Sequence, residues 1–443
     1  MDEESLDEAR RAARALDDAD PLADLRGRFD VPGEVYADGN SLGPVSDAAV
    51  AAVEDVLDQW RTHGVEGWTE AGWFTVGEDL GDRLAPLVGA RPDEVVVTGA
   101  TTVNVHTLVG TFYDPWGRGG DGNGADDGTE ADDGNGDAPK RILVNDLDFP
   151  SDHYAVRSQL RLRGVDPDEG LRVVESRDGR TIRADDVVAA MDDDVGLVFL
   201  PSVLYRSGQL LDVERITAAA REREIPVGFD LAHSVGVVPH DLHDLGVDFA
   251  VWCSYKYLNA GPGAVAGLYV HERHHGRRPA LAGWWGHEKA TQFEMRHEFT
   301  PAHSAGAWQI GTPPLLATAP LSGALDVHEA AGIDAVREKS LALTDLLIDL
   351  VDEHLPECTV GTPREQARRG GHVAVEHPEG KGLSRALKAR GIVVDFRPPN
   401  VVRVCPAPLY ASFEDVVDTV AAIRDVLDAG AHEAVDDRDG GVT

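Results

Sequence analysis

Two short apolar runs, each ending abruptly in polar groups, constrain this chain more than any other feature. Ile225-Pro-Val-Gly-Phe229 ends at Asp230, and Val247-Asp-Phe-Ala-Val-Trp252 ends at Ser254-Tyr255-Lys256. Short apolar runs bounded by turn signals read as buried parallel strands. Ligands of open α/β sheets gather at the carboxyl ends of such strands. The spacing therefore predicts one carboxylate and one amine on the same sheet edge. Similar runs occur at Glu94–Val97, Arg141–Asn145, Leu197–Leu200 and Ala264–Val270, with helical segments between most of them. That alternation predicts a mostly parallel α/β sheet.

The rest of the chain divides around this core. Residues 4–28 read as a polar helix with an apolar stripe, and Tyr36–Pro44 as a turn-rich loop. Ser46 is placed to cap a helix with Val50, Val53, Leu57 and Trp60 on one face. Residues 1–50 are expected to pack with the small domain and 51–312 to form the large domain. After Pro313-Pro314 the pattern changes. A long helix carries Val336, Leu343, Leu347 and Leu350, and a last one starts at Ser412 with Asp415 three residues on. With strand candidates at His372–Val375 and Val401–Val404, residues 313–430 read as a smaller α+β domain, and 431–443 as a polar tail. Residues 117–139 hold almost nothing apolar and read as an exposed disordered insertion. Their Asp and Gly residues lack the ligand spacing of a calcium loop.

Composition excludes several function classes. The 78 acidic residues against 41 basic ones give a net charge of −37, which repels nucleic acid and anionic membranes. Because the acid is spread along the whole chain, it reads as the hydrated surface of a halophilic, cytoplasmic protein. Three cysteines, Cys253, Cys358 and Cys405, make no disulfide framework in so long a chain. The first residues lack an apolar signal core, and no run approaches the ~18 apolar residues of a membrane span.

Asp230 and Lys256 then carry the chemistry. Taken blandly, they are a strand-end cap and a surface lysine. Yet lysine is scarce, with six in 443 residues, and Lys256 stands between two tyrosines in a stretch of low charge. A lysine that forms an imine and an aspartate that pairs with a pyridine nitrogen are what pyridoxal phosphate (PLP) requires. Its phosphate needs orphan amides at a helix start, and Thr98-Gly-Ala-Thr-Thr102 fits that place. Phe149-Pro-Ser-Asp152 also follows a strand and offers an aromatic ring to stack on a flat cofactor.

Several further elements, read in order, resemble the kynureninase family. They are Asp38-Gly-Asn-Ser-Leu-Gly43, Thr102-Val-Asn104, Phe149-Pro-Ser-Asp-His-Tyr154, Gly228-Phe-Asp-Leu-Ala-His233 and Cys253–Gly261. Gly283-Trp284 with Gly286-His287-Glu288, and Arg397-Pro-Pro-Asn-Val-Val-Arg403 with Pro408-Leu-Tyr410, complete the set over roughly residues 35–430. The resemblance implies PLP fold type I, with a mostly parallel seven-stranded sheet flanked by helices and a smaller α+β C-terminal domain. It implies PLP-dependent hydrolysis of L-kynurenine to anthranilate and L-alanine, with 3-hydroxykynurenine as the second candidate substrate. That reaction belongs to tryptophan degradation and leads toward NAD biosynthesis.

Position by position, the resemblance makes Lys256 the Schiff-base lysine and pairs Asp230 with the pyridinium, with His233 beside the ring. Phe149 stacks on the ring and Asp152 hydrogen-bonds near it. Thr101, Thr102 and Tyr255 hold the phosphate, and Tyr255 is also the candidate proton shuttle. Trp284 and Thr312 are expected from a partner subunit, so the implied unit is a homodimer with shared sites. Arg403 matches the arginine that grips the substrate α-carboxylate, with Asn40 and Ser41 beside it. At Leu200-Pro-Ser-Val-Leu-Tyr205 the family's cofactor-binding Ser/Thr column falls on Pro201, and Ser202 is its stand-in. Gly311-Thr312 resembles the bacterial form, which hints at kynurenine as the better substrate.

Other readings stay beside this one. A cysteine desulfurase or aminotransferase of the same fold would need a mobile cysteine, and Cys253 and Cys405 lie at or beside strands. His271-Glu-Arg-His-His275 matches the zinc-protease signature, which requires His271 and His275 on one helix face. Here the segment directly follows a strand, so a loop exit with solvated histidines is expected, and no metal. A non-catalytic binding protein is the third reading.

Overall fold

The computed structural model describes residues 3–116 and 140–433. The expected insertion at 117–139 and the tail beyond 433 lie outside the described residues. Seven strands form the main sheet: β1 (Val95–Val97), β2 (Arg141–Asn145), β3 (Leu171–Val174), β4 (Val195–Pro201), β5 (Val227–Asp230), β6 (Phe249–Trp252) and β7 (Gly267–Val270). Their order is β1-β7-β6-β5-β4-β2-β3. β7 runs antiparallel to both neighbours, and the other pairs are parallel.

Alternation along each strand splits the apolar side chains between two cores. Val198, Leu200, Val227, Phe229, Ala250 and Trp252 face one side. Leu197, Phe199, Phe249, Val251, Leu268 and Val270 face the other. Both faces are covered, which is why the strands read as continuous apolar runs rather than alternating ones.

The longer helices are α1 (Glu3–Ala19), α2 (Asp47–His63), α3 (Val76–Leu84), α4 (Thr101–Phe112), α5 (Pro150–Leu162), α6 (Val213–Glu222), α7 (Leu315–Ala331), α8 (Ile333–His354), α9 (Gly380–Lys388) and α10 (Phe413–Asp428). The expected helix over 4–28 stops at Ala19 and resumes as a 3-10 turn at Ala23–Arg28. Pro21 breaks it, because proline offers no amide to the ladder, and the Asp20 side chain accepts from Leu22 N at 2.9 Å instead. Ser46 caps α2, accepting from Ala49 N at 3.2 Å. Ser412 and Asp415 close a reciprocal capping box at the start of α10.

A four-stranded antiparallel sheet in the order β8-β9-β11-β10 lies near the C-terminus. Its strands are β8 (Thr359–Val360), β9 (Val373–Glu376), β10 (Asp395–Arg397) and β11 (Val401–Val404). Its core joins Leu343, Leu347, Val375, Val402, Val420 and Ile423 to N-terminal Ala13, Val35 and Ala37. Helix α7 follows Pro313-Pro314 but sends Leu321 and Leu325 into the main-sheet core.

Candidate active site

The carboxyl ends of β5 and β6 bring the first two predicted groups together. β5 ends at Asp230 and pairs in register with β6, Asp230 opposite Val251. Past β6 the chain turns tightly: Asn259 N donates to Lys256 O at 2.9 Å and Ala260 N to Ser254 O at 3.0 Å. That turn aims Lys256 back across the sheet edge, where its Nζ lies 2.9 Å from His233 Nε2. The N-terminal loop closes over it, with Gly43 N donating to Tyr255 O at 2.8 Å. A Cβ on Gly43 would lie 2.6 Å from Lys256 O and 2.0 Å from Asn259 Oδ1, so only glycine permits this approach.

Electrostatics separate the acidic groups. Burial pushes Asp230 upward, while Lys256, Ala232 N and Asp152 oppose the shift. Asp152 is pushed up well beyond the carboxylate range, first by burial and then by Asp230. The two carboxyls are hydrogen-bonded. Asp152 keeps the proton and donates, and Asp230 keeps the charge nearest Lys256. His233 is held neutral by burial and by the positive charges of Lys256 and Arg403. Burial also pushes the Tyr255 hydroxyl up, so it remains a donor.

The other predicted positions in the large domain fall into four places. Thr101 and Thr102 open α4 just beyond β1, and the N-cap Ala100 supplies no side-chain acceptor. Phe149 lies before α5 with its ring half exposed and packs edge-on against Tyr205, 5.2 Å between centroids. Ser202 is buried, but its hydroxyl is spent on Asp230 O at 3.3 Å and Ser234 Oγ at 2.7 Å. It steadies Asp230 from behind. Trp284 is 49% exposed and packs on Trp285 and Phe293, and Thr312 is exposed.

Arg403 is 1% exposed. It donates from Nε to Asp395 Oδ1 at 2.7 Å, from Nη1 to Tyr205 O at 2.8 Å and from Nη2 to Ser41 Oγ at 2.9 Å, and it also reaches Asp395 Oδ2. The Asn40 amide, with its oxygen toward Arg403, accepts from Nη1 at 3.3 Å and Nε at 3.2 Å. Asn40, Ser41 and Arg403 thus share one cluster, as expected. Asp395, Arg397 and Asp38, which the sequence reading left out of the site, complete it. Arg397 Nη2 lies 2.7 Å from Asp395 Oδ2.

The histidine motif behaves differently from both of its sequence readings. Glu272–His274 is a single 3-10 turn, so His271 and His275 share no helix face. The histidines are not solvated either. His271 lies on the buried Glu94 carboxylate beside His243, His274 Nε2 meets Asp248 at 2.6 Å, and His275 packs against His303. Glu94, His243 and His271 could in principle surround an ion. Yet the Glu94 oxygens already accept from Arg91 N, Glu272 N and His243 Nδ1 at 2.7–3.0 Å.

Comparison with known proteins decides among the remaining readings. A kynureninase from Geobacillus thermodenitrificans is 46% identical over 432 residues, covering 96% of each chain. The chain belongs to the kynureninase family. A Bacillus cereus kynureninase is 47% identical over 94% of each chain. The kynureninase C-terminal domain model matches residues 336–423, the span that holds Asp395, Arg397 and Arg403. Among solved structures, a C-DES mutant with glycine covalently linked to its PLP cofactor superposes with a TM-score of 0.75 at 20% identity, over 90% of this chain and 99% of that one. An apo cysteine desulfurase from Thermococcus onnurineus gives 0.72 at 17%, over 92% and 98%. At such identities the likeness establishes the fold, PLP fold type I. Among the described residues no helix is long and apolar enough to cross a membrane.

Proposed function

We propose that this kynureninase-family protein hydrolyses L-kynurenine to anthranilate and L-alanine with pyridoxal phosphate held at Lys256. The observation that carries the reading is the sheet edge where the Lys256 amine, His233 and the buried Asp230 carboxyl meet, in a chain that aligns with kynureninases over nearly its whole length. The residues fit the cofactor. A buried carboxylate stands ready for a pyridinium, and an exposed ring at Phe149 for a flat partner. The first-turn amides of α4 carry no side-chain cap, and His233 Nδ1 is buried without a partner among the described residues.

When bound, PLP supplies the electron sink for the negative charge that develops at the substrate Cα. In this reading Lys256 Nζ takes the Cα proton, and His233 accepts a hydrogen bond from the lysine. Asp230 pairs with the ring nitrogen, and protonated Asp152 holds the Asp230 charge in place. Thr101, Thr102 and Tyr255 anchor the phosphate. The water hydroxyl ends on Cγ, the Cβ–Cγ bond breaks, and a proton moves to Cβ, so anthranilate and alanine together balance kynurenine plus water. Tyr255, still protonated, is placed to give that last proton. The substrate carboxylate is taken at Arg403, beside Asn40 and Ser41, and Gly311-Thr312 favours kynurenine over 3-hydroxykynurenine.

We also propose a homodimer with shared sites. A groove of about 640 Å³, lined by Leu42, Pro44, Val50, Val53, Leu316 and Pro320, opens along α2 and α7. Trp60, on the expected apolar face of α2, is 60% exposed in the single chain. Burial of that face in a dimer, with Trp284 and Thr312 supplied to the partner's site, accounts for both. The desulfurase reading lacks a suitable thiol. Burial pushes Cys358 up to about 11 and Cys405 up to about 12, and Cys253 is raised as well, so all three stay protonated.

The direct test is anthranilate fluorescence after kynurenine is added to the PLP-loaded protein in concentrated salt. Stoichiometric anthranilate and alanine are expected. Sulfide and alanine from cysteine, with no anthranilate from kynurenine, would transfer the protein to the desulfurase class.

A further inference from the structure

Two neighbouring imidazoles at the sheet edge have polar atoms left over. His233 spends Nε2 on the Lys256 amine at 2.9 Å and leaves Nδ1 buried and unpaired among the described residues. His372, at the entry to β9, is fully buried, and neither of its ring nitrogens makes a well-formed hydrogen bond among the described residues. Tyr205 O is the acceptor within its reach. The two rings pack with centroids 5.8 Å apart, tilted by 59°. Buried polar groups without partners are rare, so three in adjacent rings call for a reason. Both rings are neutral. Burial, then the charges of Lys256 and Arg403, hold His233 well below its usual range. Burial, then Arg403, push His372 down to about 3, with Asp395 and Tyr205 O opposing. The chain also makes room for His372. Gly208 has φ +72°, and a Cβ on it would lie 2.6 Å from His372 O and 3.3 Å from His372 Nε2. Gly208 N donates to Leu204 O at 2.9 Å and Gly370 N to Gly208 O at 2.8 Å, which folds the loop after β4 onto this histidine.

We propose that His372 is a positioning residue for His233: one of its ring nitrogens accepts from His233 Nδ1–H, and the other donates to Tyr205 O. A neutral imidazole has one donor and one acceptor, and the bond made by one nitrogen decides the state of the other. With Nε2 turned to Lys256 as an acceptor, His233 carries its proton on Nδ1. That N–H sits in a dry site, where leaving it unmatched is costly. His372 offers the missing acceptor. Its own N–H then has Tyr205 O, which keeps a second lone pair beside its 2.8 Å bond from Arg403 Nη1. The chain Lys256–His233–His372–Tyr205 O thus fixes the tautomer of His233 and moves no net charge. Such bonds are long before ligand binds and tighten when the site fills. Tyr205 also packs edge-on against Phe149, so the same chain ties the lysine end of the site to the aromatic ring assigned to the cofactor. The inference rests on the proposed placing of PLP at Lys256, and not on which substrate is used.

His372→Leu and His372→Gln test it. Leucine fills the space with no polar atom, whereas glutamine keeps an acceptor and a donor. The readout is the pH midpoint at which the visible band of the PLP-loaded protein changes, which reports how firmly the Lys256 nitrogen holds its proton. Lys256, Arg403, Arg397 and Asp395 are the charged groups that face the two rings, and both variants leave them in place. In His372→Leu the His233 proton is free to move to Nε2, and the ring stops accepting from Lys256. The midpoint should fall by about one pH unit, the size of one charge-assisted hydrogen bond. The kcat for kynurenine should fall about tenfold with KM little changed. Glutamine should restore most of both. In a His233→Gln background, His372→Leu should move the midpoint no further, because His372 acts only through His233. If the leucine variant does not fold, His372→Asn, whose shorter amide cannot span both partners, takes its place. A midpoint unmoved by the loss of His372 would overturn the proposal. So would a glutamine variant displaced as far as the leucine one, or an additive shift in the His233→Gln background. The titration uses PLP alone, so a protein that releases no anthranilate from kynurenine would fail the functional reading and leave this result standing.

Discussion

Asp38→Asn separates a charge kept for function from one kept for stability. Asp38 is buried beside Asp395, and its Oδ1 has no partner among the described residues. Burial, and then the Asp395 charge, push it from 3.8 to about 6, against the pull of Ser41, Arg403 and Arg397. The folded state thus binds this proton more tightly than the unfolded chain does. Its stabilising contribution is complete below 3.8 and is lost as pH rises through about 6. At about 1.4 kcal/mol per tenfold change, the gap is about 3 kcal/mol. An unfolding entropy of about 2.1 cal/mol/K per residue gives about 0.9 kcal/mol/K for a chain of 443 residues. The penalty therefore equals about 3 °C in Tm. Asparagine keeps the shape and cannot ionise. Thermal unfolding without cofactor, in one salt concentration, should give a Tm difference between Asp38→Asn and the unsubstituted protein that grows by about 3 °C from about pH 4 to about pH 8. A difference that stays flat, or that shrinks toward high pH, would refute the placement of Asp38 as a buried carboxylate in conflict with Asp395.

Three further outcomes are expected. Lys256→Ala, incubated with PLP and freed of excess, should lack the visible absorbance of the imine-bound cofactor and retain none after borohydride; a persisting band would remove Lys256 from its role. Mixing Lys256→Ala with Trp284→Ala, each inactive alone, should restore about a quarter of the normal activity if each site draws Trp284 from the partner, because half the dimers are mixed and each mixed dimer has one intact site. A mixture as inactive as its components would refute shared sites. Refolding yield should rise steeply from about 0.1 M to above about 1 M salt, as screening shortens from about 10 Å to about 3 Å and relieves the self-repulsion of a chain with net charge −37. Best refolding in dilute buffer would sink the halophilic reading.

The sheet edge that holds Asp230 and Lys256 was legible because strand ends are legible. Asp230 and Lys256 close two apolar runs, and a sheet buried on both faces leaves no choice of edge. The edge strand β3 was not, because Leu-Arg-Val-Val carries a charge and is half open to solvent. β10 was missed for a different reason. Asp-Phe-Arg has the composition of a loop, and it is a strand whose Asp395 is buried because Arg403 pairs with it across the hairpin and Arg397 along the same strand. A signal was present: Pro398-Pro399-Asn400 separates it from Val-Val-Arg-Val, and closing that hairpin sets Asp395 opposite Arg403. Asp38 and Ser41 reach the cluster from more than 350 residues away, as the Ser41–Asp395 hydrogen bond shows, and no local pattern announces that. α2 misled in the other direction. Its apolar face is real, but among the described residues Trp60 stays 60% exposed.

The surface and the site place opposite demands on charge, and this explains why arginines are buried so deeply. A protein of net charge −37 repels a phosphate cofactor and a carboxylate substrate at long range. Salt removes that repulsion, but it removes long-range attraction equally, since screening at about 1 M extends only about 3 Å. Selection must then come from contact, and contact requires donors already aimed and dry. Arg403, fixed by Asp395, Tyr205 O, Ser41 and Asn40, cannot be solvated or swing away. Through Asp395 it denies Arg397 the same freedom. Lysines could not do this with single point charges on flexible stems. On the proposed reading, in which Arg403 takes the substrate carboxylate in concentrated salt, a guanidinium fixed in this way would recognise it by contact where electrostatic steering is absent.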